Sequence, residues 1–149
     1  MIRRLFLLSL SPLLLAAEAT AQSVNTLPAM RTITFAPGSN SSTVAGQLAP
    51  GGRNVYYVQA KAGQTLMVSV MPAVSGATFQ VFNSDAALAK GTDGMAVVTG
   101  RTLPDAGPND KATAWIGAIP RDGNYLVLVT MGGAAGAPAN SYNLTVSLQ

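Results

Sequence analysis

The side chains that could carry chemistry in this 149-residue chain are few, and the most telling fact about them is what is missing: there is no histidine and no cysteine. Imidazole-based acid–base catalysis, Ser-His-Asp and Cys-His nucleophiles and thiolate or imidazole metal sites are therefore excluded by composition. The acids of the main body are Asp85, Asp93, Asp105, Asp110 and Asp122. Each sits beside Gly, Asn or Pro, a context in which aspartate shapes turns. None closes a strand in the manner of a glycosidase carboxylate pair. Asp105 to Asp110 offers oxygen ligands of the kind calcium takes, without the spacing of an EF-hand loop. No serine is set against Lys61, Lys90 or Lys111 in a recognisable nucleophile pair. The reading is a protein that is not an enzyme and that holds no metal and no cofactor.

What remains is surface recognition. The arginines and lysines of the main body are Arg31, Arg53, Lys61, Lys90, Arg101, Lys111 and Arg121, separated by long neutral stretches. A nucleic-acid footprint needs a clustered basic stripe, so nucleic acid is not expected as a partner. Two loops stand out: Gly100 to Lys111, long and polar, and Met131 to Asn140, built of Gly, Ala and Pro without a charge. The second is narrow enough to enter a cleft.

These groups need a scaffold, and its first segment reads as a targeting signal. Arg3 and Arg4 precede an apolar run ending at Ala16, too short to span a bilayer, and Ala19 and Ala21 form an A-x-A pair. Residues 1–21 are expected to be a cleaved signal peptide, residues 22–30 a loose leader, and residues 31–149 one domain. The product is periplasmic or secreted and not embedded in a membrane. Removing Arg3, Arg4 and Glu18 lowers the formal charge of +3 by one unit. With no cysteine, the exported fold stands without disulfides.

Beyond the leader the hydrophobic pattern has period two. Leu66, Val68 and Val70 alternate with Met67, Ser69 and Met71, and Pro72 stops the run. Tyr142, Leu144, Val146 and Leu148 alternate in the last strand. Tyr125 to Val129 is apolar throughout, as in a strand covered on both faces. Asn54 to Ala60 is also apolar on both faces, which leaves open whether Tyr56 or Tyr57 points inward. Ile33 and Phe35, a turn at 37–40, and Val44, Gly46 and Leu48 read as a hairpin, and strands are expected around Phe79–Val81, Met95–Val97 and Trp115. Together these features predict an all-β fold, a single antiparallel β-sandwich of about eight to nine strands. Gly123-Asn124-Tyr125 reads as a tyrosine corner.

The residues Ile33-Thr34-Phe35-Ala36-Pro37-Gly38-Ser39, Tyr57-Val58, Ala60-Lys61-Ala62-Gly63-Gln64, Phe79-Gln80-Val81, Trp115 to Pro120, Gly123-Asn124-Tyr125 and Ser141 to Val146 carry a family resemblance. The chain resembles the periplasmic inhibitors of g-type lysozyme and, more distantly, the bacterial pre-peptidase C-terminal domains. The resemblance implies a binding protein that occludes a lysozyme cleft, or else an accessory module that binds polysaccharide or peptide in the cell envelope. It implies arginines in the loop before the last strand, where this chain has Gly132 to Ala139 and no basic residue. The expected partner is a lysozyme or other envelope protein, with a glycan as the alternative. The candidate partner-binding residues are Tyr57, Arg101, Arg121, Gly132, Gly133 and Gly136.

Overall fold

A computed structural model describes residues 30–149. The expected signal peptide and residues 22–29 of the leader lie outside the described residues. The described residues form ten strands: β1 (Met30–Thr32), β2 (Ser41–Leu48), β3 (Arg53–Ala60), β4 (Thr65–Met71), β5 (Ala77–Phe82), β6 (Ala87–Lys90), β7 (Ala96–Thr99), β8 (Ala114–Ala118), β9 (Gly123–Met131) and β10 (Asn140–Leu148). A single 3-10 turn spans Ala73–Ser75. No helix among the described residues is long and apolar enough to cross a membrane.

Eight strands make the sandwich, one sheet ordered β1-β3-β9-β5 and the other β2-β10-β4-β8, while β6 and β7 form a separate ribbon. The alternating residues do as their pattern dictates. Leu66, Val68 and Val70 of β4 and Tyr142, Leu144 and Val146 of β10 meet Tyr56, Val58, Phe79, Val81, Tyr125, Val127 and Val129 of the facing sheet in one core. Burial of this apolar surface is the main drive for folding.

A second, smaller core lies on the outside of the first sheet. Val55, Phe82, Leu126 and Leu128 pack there with Ala96, and Leu88 and Val98 of the ribbon lie against them. This is why β9 is apolar on both faces: one row of its side chains meets the opposing sheet and the other meets the ribbon. The same layering settles β3. Tyr56 is fully buried between the sheets, and Tyr57 is half-buried on the outer face against the second core.

Two readings of the sequence are corrected. Residues 31–48 are not a hairpin, because β1 pairs parallel with β3 in one sheet while β2 pairs with β10 in the other. The chain crosses between layers at 33–40, and composition alone does not distinguish such a crossing from a turn within one sheet. The Gly100–Lys111 segment, in turn, is not a free polar loop. It runs along the edge of β5, where Leu103 N donates to Val81 O at 2.8 Å, Val81 N to Ala106 O at 3.1 Å and Phe79 N to Ala112 O at 2.9 Å. Leu103 and Ala106 are buried against the main core. The polar residues between them face water and mask the two apolar anchors in the sequence.

Candidate functional site

Loops collect at the two ends of the sandwich, and the candidate residues divide between them. At one end lie the turn after β3, the turn after β5 and the segment leading into β9. Here Tyr125 donates its hydroxyl to Arg121 O at 2.8 Å, closing the tyrosine corner expected from the sequence. Asp122 Oδ1 accepts from Ala62 N at 2.8 Å, and Arg121 Nη2 pairs with Asp85 Oδ2 at 2.9 Å. Arg101 O accepts from Asn83 N at 2.8 Å, so Arg101 and Arg121 flank the same turn.

The opposite end is built from the turn 49–52, the segment 72–76 and the loop 132–139. No charged residue occurs in any of the three. Gly51 N donates to Met131 O at 2.8 Å, Gly132 N to Gly76 O at 2.9 Å and Asn140 Nδ2 to Ser75 O at 3.3 Å, so the three loops form one connected rim. Gly133 and Gly136 take φ of 125° and 82°, left-handed values that side chains other than glycine adopt with strain. Val74 projects from this rim at 92% exposure.

The nine residues of β9 separate the two ends by about 27 Å at the usual rise per residue. Arg101 and Arg121 are thereby brought together, but they are not brought to Gly132, Gly133 and Gly136. Tyr57 belongs to neither end. One contact surface made of Tyr57, Arg121 and the 132–140 loop, as the sequence suggested, does not exist in this geometry.

Beside the uncharged rim is a groove of about 420 Å³ lined by Arg31, Ala45, Gln47, Met71, Pro72, Ser141 and Asn143. Its floor has an unusual construction. Gly46 of β2 lies directly opposite Tyr142 of β10, and the phenol ring occupies the space that a side chain at 46 would need. Beneath it Tyr142 Oη is hydrogen-bonded to Tyr56 Oη at 2.7 Å and accepts from Asn54 Nδ2 at 2.8 Å. Burial, and then the Tyr142 hydrogen bond, push the Tyr56 phenol well above its ordinary pKa. Tyr56, held protonated in this way, is a structural group and not an acid or base at neutral pH.

The exposed Arg31 guanidinium reaches past the sheet edge to Ala45 O at 3.3 Å. Among the described residues it is the one charged side chain lining the groove, although in the sequence it is only one of seven dispersed basic residues. Only the parallel pairing of β1, which carries no local signature, brings it here. Among the described residues no three acidic side chains cluster to hold a metal, and the Asp110 carboxylate accepts from Gly107 N at 2.7 Å.

Comparison with solved structures bears on what this arrangement is. Aeromonas hydrophila PliG, a periplasmic lysozyme inhibitor of g-type lysozyme, is 30% identical, with a TM-score of 0.60 over 80% of this chain and 96% of that one. The chain belongs to the PliG family. Salmonella Typhimurium PliG shares the fold at 21% identity and TM-score 0.55, over 80% of this chain and 97% of its own. A pre-peptidase C-terminal domain of a Bacillus anthracis collagenase aligns over 84% of this chain and 99% of its own at 13% identity and TM-score 0.45. No family model and no curated protein matches. Within the PliG fold, the loop before the last strand is here the uncharged 132–139 segment, with Arg31 and Arg53 as the nearest arginines in strand register.

Proposed function

We propose that this protein is a noncatalytic, periplasmic or secreted inhibitor of g-type lysozyme, and that it acts through its uncharged end. The observation that carries the reading is 30% identity along 96% of the Aeromonas hydrophila inhibitor. The loop 132–139, with Gly132, Gly133 and Gly136, enters the cleft. Val74 and Met71, exposed at 92% and 59%, supply apolar contact beside it. A narrow loop of small residues displaces cleft water and bars the glycan without itself offering a cleavable bond. Arg31, held by a single hydrogen bond to a carbonyl, is positioned to pair with a carboxylate at the cleft margin through its guanidinium fork.

Arg101 and Arg121 take no part in this contact, since they lie at the far end and Arg121 is already paired with Asp85. Titrating g-type lysozyme with the exported chain tests the proposal. Lysis falls to the blank rate near stoichiometric inhibitor if the reading is right, and it is unchanged at micromolar excess if it is wrong.

A further inference from the structure

We infer that β8 is a self-association strand, through which two copies of the protein pair edge to edge about a twofold axis at Ile116. The inference is independent of the lysozyme reading.

A sandwich of two open sheets has four edges, and exposed edges invite pairing with another chain unless they are blocked. Three edges here are managed. The β5 edge is bonded to residues 101–112. On the β2 edge the Ser39 hydroxyl binds both Ser41 N and Ser41 O, and Arg31 binds Ala45 O. The β1 edge offers three strand residues among the described residues.

The β8 edge has none of these devices. Val70 N donates to Thr113 O at 2.8 Å and Ile119 N to Gln64 O at 2.8 Å. In an antiparallel ladder this parity turns Trp115 and Gly117 toward β4 for bonding and leaves the N–H and C=O groups of Ala114, Ile116 and Ala118 pointing outward. No partner for them occurs among the described residues. The strand, Ala-Trp-Ile-Gly-Ala, contains no charge, no proline and no bulge, and Ile116 is 64% exposed.

Its sequence is complementary to itself. Antiparallel pairing centred on Ile116 sets Ala114 against Ala118 of the second copy and Ile116 against Ile116. All three residues already face their amides outward, so six new N–H···O bonds form without any change of register. Trp115 then lies opposite Gly117 of the second copy, each indole staying over its own chain. Glycine at 117 already accommodates the Trp115 indole, which leans over it within one copy while Trp115 Nε1 donates to Pro104 O at 2.9 Å. On the outer face of each copy Ile116 and Met67 line a groove of about 420 Å³ with no charged side chain among the described residues that line it. Two copies of a net-positive protein therefore meet there without opposed charges.

Sedimentation of the exported chain from about 1 µM to about 1 mM reads the association directly. A dimer fraction that rises with concentration is expected, and Ile116→Lys weakens it at least about tenfold while the far-UV spectrum and Tm stay the same. Because the natural chain has no cysteine, Ile116→Cys supplies a single thiol. Across the twofold the two Cα atoms lie about 5.5 Å apart, within disulfide reach, so mild oxidation gives a covalent dimer. Thr43→Cys, on the β2 edge that Ser39 and Arg31 occupy in part, is expected to stay monomeric. A monomer throughout the range, or equal cross-linking at 43 and 116, overturns the inference. So does a monomeric wild type whose lysozyme inhibition is lost in Ile116→Lys, which would assign the edge to the target.

Discussion

The two ends of the sandwich solve the same problem, closing a set of strands, with different materials. At the Arg121 end the closing groups are side chains: the Tyr125 hydroxyl, the Asp122 carboxylate and the Arg121–Asp85 pair. At the Gly132 end they are backbone amides and carbonyls together with the short side chains of Ser75 and Asn140. The difference decides what each end has left for a partner. Polar groups already engaged inside the protein must break a bond before they make one outside, whereas Val74 and the alanines of 132–139 lose nothing but water. The end rich in chemistry thus spends it on closing the fold, and the end poor in chemistry is the one proposed to bind.

The sharpest way to break this contrast is to place charge on the uncharged rim. Val74→Glu with Ala135→Glu alters exposed positions in that rim and should leave Tm unchanged. It should raise the lysozyme inhibition constant at least about a hundredfold, about 2.7 kcal/mol, as an anionic loop faces the carboxylates of a glycan-cleaving site. At the other end Tyr125→Phe should have the reverse profile, a loss of about 1.5 kcal/mol in urea unfolding with unaltered inhibition, because a buried hydroxyl is removed and Arg121 O loses its donor.

Between the ends, Tyr56 responds to alkali. The folded protein holds Tyr56 protonated above its ordinary pKa, while the unfolded phenol ionises near about 10. The unfolded state then binds fewer protons, so stability is fully present below pH 10 and falls as pH rises beyond it. The slope approaches about 1.4 kcal/mol per pH unit, and Tyr56→Phe abolishes that part of the dependence. The smallest effect belongs to Arg121→Ala. Its ion pair is more than half exposed on both sides, so stability should change by less than about 1 kcal/mol and inhibition not at all.

The comparison also shows what a sequence can and cannot disclose. β4 and β10 are legible because they alternate with period two over seven and nine residues, β9 because its centre is apolar on both faces, and the tyrosine corner because it is local. The ribbon strand β6 was not seen, since four residues, Ala-Leu-Ala-Lys, carry too little pattern to register. The layer change after β1 and the buried anchors of the 100–111 segment depend on which strand lies next to which, and no local rule encodes that. The same is true of the candidate site. Its residue types could be chosen from composition, but Arg121 and Gly132 belong to opposite poles only because β9 runs between them, and Arg31 joins the groove only through a three-residue parallel contact.

One further consequence follows from the ribbon that lies over the outside of the first sheet. With cores on both faces and hydrogen-bonded neighbours on both sides, β9 has no route to solvent short of whole-domain opening. Its amides are the last in the molecule to exchange with deuterium. In a chain without cysteine, that sealed strand and not a covalent staple is what holds the domain closed.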